Sequence, residues 1–411
     1  MGILQKTLEE ALQDIPDKFL AAVVEKKLAA QGIKLSSRER KLLANLLRTG
    51  GVNDFTFRRW RFWDRKRITI EFSDEESDGL VKKVKAFISS ELPRVYEATA
   101  DEIYKHTLAV LNRRWPAQSR RTRRERDGFR NRLQKRWRVP LERLKMLLTI
   151  SLEFGDVING ELRESPDHSH KFLVEVFTRS HATACQVAGE IVCLLEGGFA
   201  DGAMARWRTL HEISVVASFI ADHGEDVAER YVRHQSIESR KAAVEYERWQ
   251  GRLQLEPLEA KEVKRLEDEF TTLAARFGPA FKESYGWAAH HLKKLKPTFA
   301  DIEKEVGSEH LRPYYRLASH NIHANPKGVF YKLGMMGETN VLLAGPSNAG
   351  LADPGQGAAI SLARACSSVS ALHCSLDTVV GLKMIAHLMD EVREAFGEAH
   401  AELQRDAKGA V

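Results

Sequence analysis

Arg316-Leu317-Ala318-Ser319-His320-Asn321-Ile322-His323 sets one arginine and two histidines at helical spacing. On an α-helix, positions i, i+4 and i+7 share a face, so Arg316, His320 and His323 would project together. A neutral imidazole can take the proton of a ribose 2′-hydroxyl, and a guanidinium can offset the extra negative charge of a pentavalent phosphate. These groups suffice for RNA cleavage without a metal, with Ser319 and Asn321 in support. The competing reading is a helix that spends both histidines on hydrogen bonds at a domain contact. The spacing itself is common, and Arg206 and His211 repeat it.

Arg206-Trp207-Arg208-Thr209-Leu210-His211-Glu212 is the second constellation. Arg208 and Glu212 are i,i+4 partners among Leu210, Ile213, Val215 and Val216, so both are expected to be buried and hydrogen-bonded to each other, since an unpaired buried charge is costly. His211 can extend such a network, as can Arg179 or Glu190 from the preceding helix. The set reads either as a structural ion-pair lattice or as a pocket for a phosphate or sugar.

The third feature is charge. Asn112 to Lys145 holds fourteen Lys and Arg against three acids, a net +11 in a chain whose total is +6. Arginines interleaved with Trp115, Phe129 and Trp137 suit a nucleic-acid backbone with rings for stacking. Arg120, Arg121, Arg123, Arg124, Arg130 and Arg136 are the expected contacts, with RNA favoured and an acidic protein as the other candidate partner. The alternative is a solvated helix facing the acidic remainder of the same chain. The run Arg58-Arg59-Trp60-Arg61-Phe62-Trp63 has the same character.

The elements that would carry these residues are mostly helical. The 411 residues allow two or three domains, and 43% hydrophobic with 29% charged residues reads as globular. Residues 1–118 read as an α+β accessory part, with Arg67–Phe72 alternating like a strand. A helix from about Asp78 is expected to break at Pro93 and close at Pro116, and residues 119–146 form an arginine-rich linker helix interrupted at Gly128, with a new helix starting at Pro140. Residues 147–411 read as an antiparallel helical bundle, making the fold class mainly α. In it, helices near 168–196 and 202–222 meet through the Gly197-Gly198 turn, with Asp201 as N-cap. Two charged helices (226–254 and 256–277) read as solvent-facing arms, a small hairpin turns at Met336–Thr339, and one long helix closes the chain.

No stretch approaches about 18 consecutive apolar residues, so no membrane span is expected. The opening Met1–Phe19 lacks the basic-then-apolar order of a secretory signal. Cys185, Cys193, Cys366 and Cys374 have no C-x-x-C spacing, which argues for reduced thiols in a cytoplasmic protein and against a metal site. No cofactor is expected, since no P-loop, G-x-G-x-x-G, H-E-x-x-H or G-x-S-x-G occurs.

From about residue 165 to 390 the chain resembles a bacterial domain of unknown function. The resemblance rests on Arg179, Glu190, the Arg206–Glu212 motif, Tyr285-Gly286-Trp287, Pro297-Thr298-Phe299 and Tyr315 to Ala324. Its helical build and arginine/histidine helix look like the HEPN superfamily, often dimeric, metal-independent ribonucleases of toxin and antiviral systems. The resemblance implies Arg316, His320 and His323 as catalytic residues, and because one helix offers donors from one side only, a homodimer with the histidine helix near its axis is expected to supply the second. The competing expectation is a non-catalytic binding or regulatory protein whose histidine helix is structural.

Overall fold

The computed structural model describes residues 3–13, 15–36, 54–58, 67–164, 169–336, 342–372 and 375–409. The chain divides into two units, Met1–Arg121 and Thr122–Val411.

The first unit contains α1 (Ile3–Gln13), α2 (Ile15–Ala30) and an antiparallel pair, β1 (Asp54–Arg58) with β2 (Arg67–Glu71). It continues with α3 (Asp74–Ala86). Ile70 alternates inward and packs with Val24 and Leu28 of α2 in a small core. The Ser73 hydroxyl accepts from the Glu76 amide while Glu76 reaches back to the Ser73 amide, closing a capping box at the start of α3. The aromatic–basic run beyond Arg58 lies outside the described residues.

A π-helical turn (Phe87–Glu91) leads into α4, a single helix of 73 residues from Leu92 to Glu164. The expected stops at Pro116, Gly128 and Pro140 are therefore absent. A proline removes one backbone hydrogen bond without necessarily ending a helix. At Pro116 the chain is exposed, so water can satisfy the carbonyl that loses its partner. At Pro140 the loss is offset by burial of Leu133, Trp137, Leu141 and Leu144 on one face of the helix.

The second unit is a helical bundle built on this buried face. Helices α5 (Lys171–Glu196) and α6 (Ala200–His223) form the antiparallel pair, and Leu194 approaches Gly202 across them. At their turn Gly198 has φ 76° and sits against the Phe129 ring and the Ser347 carbonyl, where no side chain fits. Asp201 does not cap α6. The N-terminus of α5 is instead capped from a distance, since the Glu225 carboxylate accepts from the Phe172 and Leu173 amides at 2.9 Å each. Glu225 opens α7 (Glu225–Leu253), which pairs with α8 (Ala260–Phe277). These are not simple arms, because Val227, Ala228, His234 and Ile237 of α7 are buried.

Short helices follow: α9 (Phe299–Glu305), α10 (Arg312–Ile322) and α11 (Pro326–Phe330). Helix α11 occupies the start of the expected hairpin, whose turn falls on residues outside those described. The expected closing helix is two helices, α12 (Ala352–Ser368) and α13 (Leu376–Gly409). Where α12 ends, Ser367, Ser368 and Ser370 donate to the carbonyls of Ala363, Arg364 and Ser367, competing with helix propagation. The core joins Trp137, Trp207, Phe177, Phe219 and Phe396.

Gly155 of α4 lets α5 come close. A β-carbon there would lie 2.3 Å from Cε1 of the buried His181 ring. Gly155→Ala should cost about 1–3 kcal/mol through overpacking, read as a lower urea midpoint with an unchanged slope.

No described helix is long and apolar enough to cross a membrane.

Candidate histidine groove and basic helix

Helix α10 starts with Pro313 in its first turn and buries Tyr315 and Ala318. It packs on α6. The helix ends at Ile322, one residue before the last histidine of the motif, and Ala324 takes a left-handed φ of 48°. The Asn325 side chain then accepts from the Gly328 amide at 3.1 Å and N-caps α11, with Pro326 in the first turn. Gly328 lies against the end of α10, where a β-carbon would meet the His320 carbonyl oxygen at 2.1 Å. Only glycine allows α11 to fold back so closely.

This fold-back creates a groove of about 900 Å³ lined by Arg312, Arg316, Ser319, His320, His323 and Lys327, among others. Glu309 is the one carboxylate among its lining residues. His323 reaches the groove as the residue after the helix, with φ −92° and ψ 8°, rather than as a third helical step.

The two histidines are held differently. The Asn325 carbonyl oxygen is committed to the α11 cap, so its amide nitrogen faces His320 and donates to Nδ1. Amide nitrogens only donate, so His320 carries its proton on Nε2 and offers a donor. His323 Nε2 stands 3.5 Å from Arg208 Nη1, which can only donate, so that nitrogen presents a lone pair. The supporting residues are spent locally. Ser319 donates to the Tyr315 carbonyl at 2.8 Å, and Asn321 donates to Asp201 at 3.2 Å. Asp201 also accepts from the Leu333 amide, tying α10 and the segment after α11 to the start of α6.

Beneath the groove lie two ion-pair clusters. In one, Arg208 Nε donates to Glu212 Oε1 at 3.0 Å, and the Tyr315 hydroxyl donates to the same oxygen at 2.6 Å. The Arg208 guanidinium lies 4.6 Å from the Tyr315 ring centroid. The pair is half-buried, 21% and 33% exposed, rather than buried as the sequence suggested. Water therefore reaches it and weakens the penalty for breaking it.

The other cluster is the buried one. His211 donates through Nε2 to Glu303 Oε1 at 2.9 Å, with both side chains 1% exposed, and Arg312 donates to Glu303 Oε2 at 2.6 Å. Burial pushes the Glu303 carboxyl up, but the His211 and Arg312 hydrogen bonds outweigh it and hold the group below its ordinary value. His211 therefore cannot touch a ligand. It anchors Glu303, which positions Arg312 at the groove wall. Arg206 pairs with Glu190, whereas Arg179 pairs with Glu175 outside both clusters.

Sequence reasoning missed Arg312, Asn325, Lys327 and Glu303, and named Tyr315 only as part of the motif that carries the resemblance. Arg312 was open to detection, lying one turn before Arg316 on the same face. Glu303 belongs to another helix, and nothing in its local sequence marks it.

On α4, Arg120 and Arg121 lie in the first unit and Arg123, Arg124 and Arg130 in the second, all exposed. Arg136 departs from the expected set: it is 19% exposed and forms an ion pair with Asp406 of α13. Its position one residue from the buried Trp137 turns it towards the bundle.

Residues 174–340 match a family of unknown function (DUF5677). The match spans the Arg206–Glu212, Tyr285–Trp287 and Tyr315–Ala324 motifs and is narrower than the 165–390 read from sequence. Helices α4, α12 and α13 lie outside it. No curated protein and no solved structure matches the chain.

Proposed function

We propose that the protein is a HEPN-like, metal-independent endoribonuclease of a bacterial toxin or defence system, acting in the cytoplasm at the α10–α11 groove. The observation that carries this is the groove itself, where Arg316, His320 and His323 meet Arg312 and Lys327 against a single carboxylate. A polyanion is the ligand such a surface favours.

The two histidines divide the work. As the 2′-hydroxyl enters, Arg208 yields the His323 Nε2 lone pair that it contacts at 3.5 Å, Nε2 takes the hydroxyl proton, and the 2′-oxygen forms its bond to phosphorus. Arg316 offsets the added charge, and His320 Nε2–H donates to a non-bridging oxygen. The bond to the 5′-oxygen breaks, that oxygen takes a proton from water, and a 2′,3′-cyclic phosphate results. One helix offers donors from one side only, so a second copy of the chain is the partner proposed to close the site. The assay that tests this is cleavage of diverse RNAs in EDTA, with product ends analysed for cyclic phosphate.

A second reading is favoured by the exposed arginines of α4 and needs no chemistry: a regulatory protein that holds RNA, or an acidic partner. In either case Arg123→Gln and Arg124→Gln should flatten the plot of log affinity for RNA against log salt by about one unit per arginine removed. An unchanged slope would give α4 another purpose.

A further inference from the structure

Arg364 of α12 has no carboxylate partner among the described residues. Its Nη1 contacts the buried Ser308 hydroxyl, and among the described residues no ion pair involves it. Burial pushes its guanidinium below its ordinary value with no acid to oppose the effect. A half-buried cation left uncompensated is costly, and proteins retain such groups where a ligand supplies the missing charge.

Arg364 also lines a cavity of about 630 Å³ between α6, α12 and α13, within the range of small-molecule sites. Ile360, Leu382, Ile385 and Met389 form its apolar wall. Its serines are poor anion donors as they stand. The protons of Ser218, Ser367, Ser368 and Ser370 are committed to backbone carbonyls at 2.7–3.1 Å. Charge recognition therefore falls to Arg364. Asp222, also in the lining, makes no ion pair with it and disfavours a ligand of high negative charge.

We infer that this cavity binds an amphipathic anion, a carboxylate or phosphate monoester carrying a hydrocarbon chain, with its head on Arg364 and its chain on the α13 wall. Each simpler ligand leaves a part unused. A cation is repelled, a neutral hydrocarbon leaves the guanidinium uncompensated, and an inorganic anion leaves the apolar wall wet. The site lies beyond the segment that matches the family of unknown function and does not depend on the ribonuclease reading.

Calorimetric titration of the full chain with octanoate, octyl phosphate, octanol and inorganic phosphate separates these cases. Saturable binding is expected for octanoate or octyl phosphate, and which of the two binds tighter identifies the head group. Arg364→Met should weaken that binding about 10- to 100-fold, the range for a hydrogen bond to a charged group. Ala386→Trp, placed at an exposed position of the lining, should block binding with an unchanged melting temperature, and it keeps the test valid if Arg364→Met fails to fold. The inference fails if neither amphiphile binds, if octanol matches octanoate, or if inorganic phosphate matches octyl phosphate. It fails equally if a folded variant binds like the wild type.

Discussion

His323→Ala and Arg316→Ala should each reduce RNA cleavage in EDTA by about 10²–10⁴-fold, at unchanged thermal stability. Both side chains are exposed, so neither substitution opens the core. His320→Ala should cost less, because its Nδ1 is held by Asn325 and its Nε2–H serves only to bind. The order of the three effects is therefore diagnostic. A larger loss at His320 than at His323 would reverse the assignment of donor and base. Wild-type protein that leaves every RNA intact, yet binds it, would put the regulatory reading first.

The second large effect concerns stability. Glu303→Ala should lower the unfolding free energy by about 3–5 kcal/mol, because it strands His211 in the core and releases Arg312. Glu303→Gln, which keeps the shape and one acceptor, should cost less. Linkage gives the same residue a pH signature. Its carboxyl is held below the ordinary 4.5, so its stabilisation is complete above that pH and fades as pH falls through the lowered value. Urea midpoints taken from pH 7 downward should converge for wild type and Glu303→Gln in that acid window. Parallel curves throughout would show that the carboxylate adds nothing as a charge.

Much of the bundle is legible in the sequence because its signals are local. Apolar periodicity and Gly197-Gly198 mark α5 and α6, and the spacing of Arg316, His320 and His323 marks one local cluster, although His323 falls just past the end of its helix. What escaped depends on contacts between distant residues. Pro140 looks like a stop until its neighbours are seen buried, and the α12 break depends on serine hydroxyls turning back to the backbone. Asp201 has the composition of a cap, yet its carboxylate is drawn to Asn321 and Leu333, more than a hundred residues away. Arg208 and Glu212 show the converse error: apolar neighbours in sequence suggested burial, but their own side chains stay within reach of water.

Asn325 performs two tasks with one amide, capping a helix of five residues with its oxygen and fixing an imidazole with its nitrogen. So short a helix has little cooperative stability of its own and opens locally far more often than the bundle unfolds. Each opening releases the amide and frees His320 to exchange tautomers. The share of molecules in which the histidine pair is complete thus follows the closed fraction of α11, an equilibrium set by the stability of that one short turn.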